Sequence, residues 1–223
     1  MRRASAGLRV LGDLLITAGV VVTLFAVYEL FYTGVYTEQV QSGLRQELVR
    51  QWETPPPAAP AAGWRAAPQL GDGVAVLRIP RLGADYATVV VEGVQVTDLR
   101  KGPGHYPGTA LPGRVGNFVV SGHRTTYGAP FGHLDRLRVA DPIVLETREG
   151  WYVYRTTRQQ IIPPTAVEVT EPVPQRPGAR PRQAWLTFTT CHPRYSARQR
   201  LVVFGLLDRV RRRAAGPPPV LAG

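Results

Sequence analysis

Ala184-Trp185-Leu186-Thr187-Phe188-Thr189-Thr190-Cys191 is a run of apolar and β-branched residues that ends in the only cysteine of the chain. Such residues fill a pleated, half-buried surface, so the run reads as a strand. A second run, Leu201-Val202-Val203-Phe204, starts ten residues after Cys191, with Arg200 directly before it. Far upstream, Val119-Val120-Ser121-Gly122-His123-Arg124-Thr125 puts a histidine at the end of another strand-like run. A thiol, an imidazole and a guanidinium, each at a strand edge, point to covalent acyl chemistry. The thiolate attacks a carbonyl, the histidine exchanges a proton, and the guanidinium holds a developing oxyanion. A lone cysteine by itself reads more often as a buried structural thiol. The contexts of His123 and Arg200 reverse that reading.

From Gly73 onward, short apolar runs recur between Gly and Pro residues. They are Val74–Ile79, Ala87–Val91, Asn117–Val120, Pro142–Thr147, Trp151–Thr156, Gln160–Ile162, Trp185–Thr190 and Leu201–Leu206. Eight runs at this spacing predict an all-β domain, either barrel or sandwich. Short helices are expected at Val94–Leu99 and near Phe131–Asp135.

The three motifs together resemble those of the sortases, cysteine transpeptidases that attach proteins to Gram-positive cell walls. The sortase signature is Thr-Leu-x-Thr-Cys, and Thr187-Phe188-Thr189-Thr190-Cys191 matches it with Phe188 in place of leucine. The histidine follows a glycine in that family, as in Gly122-His123, and Arg200 precedes an apolar strand as the family's arginine does. The stretch from Ser121 to Phe131 is most similar to the class E sortases of high-GC actinobacteria. The resemblance spans residues 73–208 and the N-terminal anchor.

The resemblance implies an eight-stranded β-barrel. It also implies Cys191 as nucleophile, His123 as general acid/base and Arg200 as stabiliser of the oxyanion or substrate carbonyls. Tyr86, in a loop after the first strand, and Thr190, beside the nucleophile, would then border the substrate. The implied reaction cleaves a Leu-x-x-Thr-Gly-type sorting signal, with Leu-Ala-x-Thr-Gly the class E form, between Thr and Gly. A thioacyl enzyme passes the protein to an amine of a peptidoglycan precursor. The partners are therefore secreted proteins bearing C-terminal sorting signals. Free cysteine titrates near 8.5 and free histidine near 6.5, so thiol with neutral imidazole is the major state. The resemblance implies that the minor, reverse-protonated pair reacts. Two alternatives stay open: a cell-wall L,D-transpeptidase-like enzyme, whose nucleophile usually follows Ser-His-Gly, and an inactive, membrane-tethered binding module.

Other histidines and arginines compete for these roles. His105 lies in a turn-rich loop and His133 beside a short helix. His192 adjoins Cys191, yet neighbours on a strand point to opposite faces. Arg198 and Arg194 are the rivals of Arg200. One cysteine excludes an internal disulfide. With no EF-hand-like loop and no compact acidic cluster, neither metal nor cofactor is expected.

The formal charge is +11, and Lys101 is the lone lysine among 27 basic residues. No helix-turn-helix, zinc spacing or aromatic RNA-binding signature accompanies the charge, so no nucleic-acid partner is expected. Anionic lipid or wall polymer suits it better.

Residues 1–9 are basic, and 10–32 form an apolar segment long enough to cross a bilayer. Arg2, Arg3 and Arg9 place the N-terminus in the cytoplasm and the remainder outside the cell membrane. Tyr28, Phe31, Tyr32 and Tyr36 resemble an interfacial belt. Residues 33–72 read as a juxtamembrane helix and a Pro/Ala-rich spacer holding the 73–208 domain off the membrane, so a fragment starting near Trp64 is expected to work alone. Residues 209–223, with Arg211-Arg212-Arg213 and Pro217-Pro218-Pro219, read as a disordered basic tail without a second anchor.

Overall fold

The computed structural model describes residues 2–28, 33–53 and 68–222. The part of the interfacial belt at Phe31 and Tyr32 and the Pro/Ala run at 55–62 lie outside them. Eight strands close into a barrel in the order β1-β2-β3-β4-β7-β8-β6-β5. They are β1 (Gly73–Arg78), β2 (Ala87–Glu92), β3 (Gly104–His105), β4 (Gly116–Ser121), β5 (Pro142–Glu146), β6 (Gly150–Ile162), β7 (Ala184–His192) and β8 (Gln199–Arg212). Two pairings are parallel, β2 with β3 and β4 with β7; the others are antiparallel. Closure leaves no long free edge, which removes a template for aggregation.

The barrel and the count of eight are as expected, but the strands are not the expected eight. β3 was missed because a two-residue Gly-His strand has no apolar run to announce it. The runs at Trp151–Thr156 and Gln160–Ile162 are one strand, β6, which stays paired with β8 across register shifts near Val153 and Thr156. The intervening polar residues carry the strand through because a ladder needs only backbone groups. The short helices appear as α3 (Val96–Leu99) and a 3-10 turn at Leu134–Arg136; the labels α1 and α2 fall to the N-terminal helices described next.

The core fills the barrel with alternate residues of each strand, as the period of two requires. Leu77, Val90, Phe118, Val120, Leu145, Tyr154, Leu186, Phe188 and Val203 belong to it. Phe131, from the loop after β4, packs on Phe188 with the rings tilted and their centroids 4.9 Å apart.

Helix α1 (Arg2–Val27) carries a span, Arg9–Val27, with mean hydropathy 2.3 and no residue buried against the described rest of the protein. At 1.5 Å per residue it measures ~28 Å, close to a bilayer's hydrocarbon thickness. Helix α2 (Thr33–Glu53) is the juxtamembrane helix, and it is docked on the barrel. Leu48 is buried against Val76 and Val89, with Leu44 and Trp52 beside it. The amide of Gln41 behaves like an extra strand residue on the edge of β2: Nε2 donates to Val89 O at 3.0 Å and to Lys101 O at 2.7 Å, while Oε1 accepts from Val89 N at 2.6 Å. The helix that precedes the Pro/Ala segment is therefore seated on the domain, while that segment itself lies outside the described residues.

The expectation of a disordered tail is corrected too. β8 continues to Arg212 because β6 supplies pairing partners as far as Gly150. Beyond it, Val220 and Leu221 pack on Val144, Trp151 and Val153. Arg213 pairs with Glu146 at 3.1 Å and lies 4.3 Å above the Trp52 ring, so the tail clasps α2. Glu146 also accepts from Arg78 at 3.2 Å, tying β1, β5 and the tail together.

Leu48→Ala should lower stability by roughly 2–3 kcal/mol, toward the low end for a buried leucine because the site lies under a surface helix. A fragment lacking residues 1–67 should melt below the fragment that retains α2. Equal melting temperatures for these two fragments would show that α2 contributes nothing to the fold.

Candidate active site

The parallel β4–β7 ladder builds the site. Its register pairs Val119 with Thr187 and Ser121 with Thr189. Two further bonds extend it: Gly122 N donates to Thr189 O at 3.1 Å, and Thr190 Oγ1 donates to Gly122 O at 2.8 Å. Continued two residues beyond its last pair, the same register would bring His123 alongside Cys191. That is the outer face of Ser121 and Thr189, whose hydroxyls meet at 3.1 Å. β8 completes the row, because Cys191 is the direct cross-strand partner of Arg200. Directly opposed residues project to one face. The outer face also carries Val202 and Phe204, covered by Ala166 and Val169 from the loop between β6 and β7.

Local packing explains the glycine before His123. A Cβ on Gly122 would lie 2.7 Å from the Phe131 ring, so only glycine lets the chain pass this inner-face position. His123 is partly buried, and its ring lies 5.0 Å from that of Tyr127. Its Nε2 is buried and has no hydrogen-bond partner among the described residues. A buried ring nitrogen without a protein partner is suited to exchange a proton with a substrate. Burial pushes the His123 pKa down, and the Arg100 charge pushes it in the same direction. Both act against the imidazolium, one by desolvation and one by like-charge repulsion. Arg100 itself sits over the Tyr127 ring at 5.7 Å, and its carbonyl accepts from Thr37 of α2 at 2.9 Å.

Arg200 stands opposite Cys191 in backbone register, but its guanidinium donates to Ala197 O at 2.9 Å and Gln199 O at 3.0 Å. These are exposed bonds within its own loop, which cost little to exchange. Arg198 is exposed and uses only its backbone N–H, toward Ser196. Arg194 reaches the loop after β4, bonding Gly132 O and, at 2.9 Å, His133 Nδ1. Neither rival occupies the cross-strand position.

His192 is removed from competition by a residue given no role from the sequence. Arg124 is buried; it donates to His192 Nδ1 at 2.8 Å and to the Cys191 carbonyl at 3.2 Å, and it pairs with Asp135 at 3.2 Å. By accepting from Arg124, the His192 ring is engaged at the end of β7. Arg124 thus pins the end of β7 to the loop that carries His123. Its place directly after His123 was the only sequence signal. His105 is structural: it is buried, lies 2.6 Å from Glu92 and stacks on Phe118 at 4.8 Å.

Tyr86 and Thr190 do not offer free hydroxyls. Tyr86 donates to Pro130 O at 2.7 Å, and burial pushes its pKa upward. Thr190 is buried and spends its proton on Gly122 O. Both hold the loop after β4 against the barrel. Among the described residues, no group of three or more His, Cys, Asp or Glu side chains could hold a metal.

Residues 77–208 match the family model for the sortase domain. The chain is 34% identical to sortase E1 of Streptomyces coelicolor over 96% of its own length and spans 60% of that relative. The structure of sortase E from Streptomyces avermitilis superposes with a TM-score of 0.63 at 42% identity, over 69% of this chain and 99% of that one. Sortase E1 of Streptomyces coelicolor with a tripeptide in its active site superposes with a TM-score of 0.62 at 36% identity, over 70% and 99%.

The His123 imidazole should titrate below the ordinary value of about 6.5. Arg100→Gln removes the neighbouring cation and should move the midpoint upward, leaving the part due to burial. Ring-proton chemical shifts followed against pH report both. A midpoint that does not rise in Arg100→Gln would remove Arg100 from the electrostatics of the site.

Proposed function

This chain belongs to the sortase family, and from that premise we propose that it is a class E-like cysteine transpeptidase acting at the outer face of a cell membrane. The reading is supported by the cross-strand pairing of Cys191 with Arg200, and by a buried His123 Nε2 with no hydrogen-bond partner among the described residues at the loop that leaves the neighbouring strand. The substrate is a Leu-x-x-Thr-Gly-type sorting signal, with Ala the preferred second residue, as for class E enzymes.

The Cys191 thiolate attacks the threonine carbonyl carbon, and the carbonyl electrons move onto oxygen. Arg200 leaves its loop carbonyls to hold that oxyanion. Protonated His123 gives its proton to the glycine nitrogen as the C–N bond breaks. The products are a thioester on Cys191 and a free amino-terminal glycine. The acceptor amine of a cell-wall precursor then attacks the thioester, neutral His123 takes its proton, and the thiolate leaves. The lowered His123 pKa makes its protonated form a better proton donor but a rarer one near neutral pH. Tyr86 and Thr190 shape the groove by fixing its walls. Anchoring through α1, with the N-terminus inside, keeps the enzyme where secreted substrates emerge.

Cys191→Ala should abolish both cleavage and transfer while the melting temperature stays near wild type. Persistent thioester-free turnover would end the covalent reading. His123→Ala should lose about two to four orders of magnitude in kcat, and His192→Ala far less. Arg200→Lys should lose about a hundredfold in acylation rate, because an ammonium cannot reproduce the two parallel donors of a guanidinium. Arg198→Lys should stay near wild type. The reverse order in stopped-flow acylation would transfer the role to Arg198. An alkylating sorting-peptide analogue that fails to label Cys191 would favour a binding module instead.

A further inference from the structure

A second concave site lies at the other end of β7. It has a volume of about 630 Å³ and is walled by Arg158 of β6, by Gln175, Arg176, Arg180 and Arg182 of the loop between β6 and β7, and by Trp185 of β7. Trp185 is six strand steps from Cys191, which at ~3.3 Å per step is ~20 Å. The site is therefore separate from the catalytic row.

Four arginines line this pocket, and no carboxylate does. None of the four forms an ion pair among the described residues, although Arg78, Arg81, Arg124, Arg155 and Arg213 all do. Like charges gathered in a concavity repel one another unless an anion enters. Arg158 is also pre-set: its guanidinium lies 4.0 Å above the Phe204 ring and donates to Gln175 Oε1 at 2.6 Å. Gln175 is fixed in turn, donating to Gln160 at 2.9 Å and adopting φ of 62°, a left-handed conformation unusual for a side chain of this size. A strained residue that holds a cation toward a pocket is a candidate ligand support.

We propose that this pocket binds a soluble oligophosphate chain, such as a phosphodiester polymer with closely spaced phosphates. Guanidinium forks match phosphate oxygens in pairs, which favours phosphate over a lone carboxylate. The volume exceeds that of one phosphate group. The half-buried Trp185 ring offers an apolar wall to the unit linking two phosphates. The pocket would dock the enzyme on an anionic polymer and leave the catalytic row free.

The test uses the full chain in an uncharged detergent, with inorganic tripolyphosphate and a short poly(glycerol phosphate) as probes, measured by calorimetry at two salt concentrations. Binding should weaken with salt. Replacing Arg176, Arg180 and Arg182 together by Gln should weaken it by about tenfold or more, with melting temperature and sorting-peptide turnover unchanged. Replacing the exposed Arg138, Arg209 and Arg212 by Gln should change it by less than about twofold. Equal weakening by both triple variants would reduce the effect to diffuse charge attraction and overturn the proposal, as would undiminished binding in the pocket variant. Phosphatidylglycerol vesicles form the last arm. Loss of vesicle binding in the pocket variant, with neither phosphate probe bound by wild type, would make the pocket a lipid contact and overturn it as well.

Discussion

The parallel ladder between β4 and β7 is the constraint on which the rest depends. Its strands are joined by six register pairs, from Gly116 with Ala184 to Ser121 with Thr189. Parallel pairing cannot be closed by a tight turn, so the chain between these strands must travel around the barrel and return. Strands β5 and β6 and the arginine-lined loop are built on that excursion. The ladder is held from both faces. Inside, Phe118, Val120, Leu186 and Phe188 meet in the core. Outside, buried Asn117 accepts from Thr187 at 2.8 Å and donates to Val169 O at 3.0 Å and Glu171 O at 2.9 Å, which fastens the returning loop to the sheet. Every polar atom in that small network has a partner, as burial demands.

Function follows from the ends of the same ladder. A shift of one residue in either strand would turn His123 or Cys191 into the core. Gly122 against Phe131 and the three contacts of Arg124 oppose such a slip, one by steric exclusion and the other by buried charge. Arg124 owes its strength to surroundings rather than to charge alone. It is buried, so its bonds escape the screening that makes exposed pairs such as Arg155 with Asp208 contribute little.

Helix α2, which follows the apolar span in sequence, braces this arrangement. Its Thr37 touches the carbonyl of Arg100, whose side chain covers Tyr127, which in turn packs on His123. The catalytic loop therefore rests partly on a helix that precedes the barrel in sequence. The Glu146 hub, with Arg78 on one oxygen and Arg213 on the other, secures the opposite end of that helix through the Trp52 contact.

The chain's own residues announced the apolar span and a β-domain of short strands, and they singled out Cys191, His123 and Arg200 as candidates for one site. All of these are local signals: a lone thiol at a strand end, a period of two, or a nineteen-residue helical span of high mean hydropathy. The signals failed where structure comes from distant partners. Gly104-His105 becomes a strand only because β2 and β4 offer it backbone bonds. Polar Thr157, Arg158 and Gln159 stay in β6 because β8 runs alongside. The tail after Asp208 is basic and Pro-rich, yet it orders because Val144, Trp151 and Glu146 wait for it. Arg124 looked like any surface arginine until the fold buried it beside Cys191. Periodicity reveals which face a residue prefers. Which residue it meets there is decided by register and burial, and those exist only once the barrel has closed.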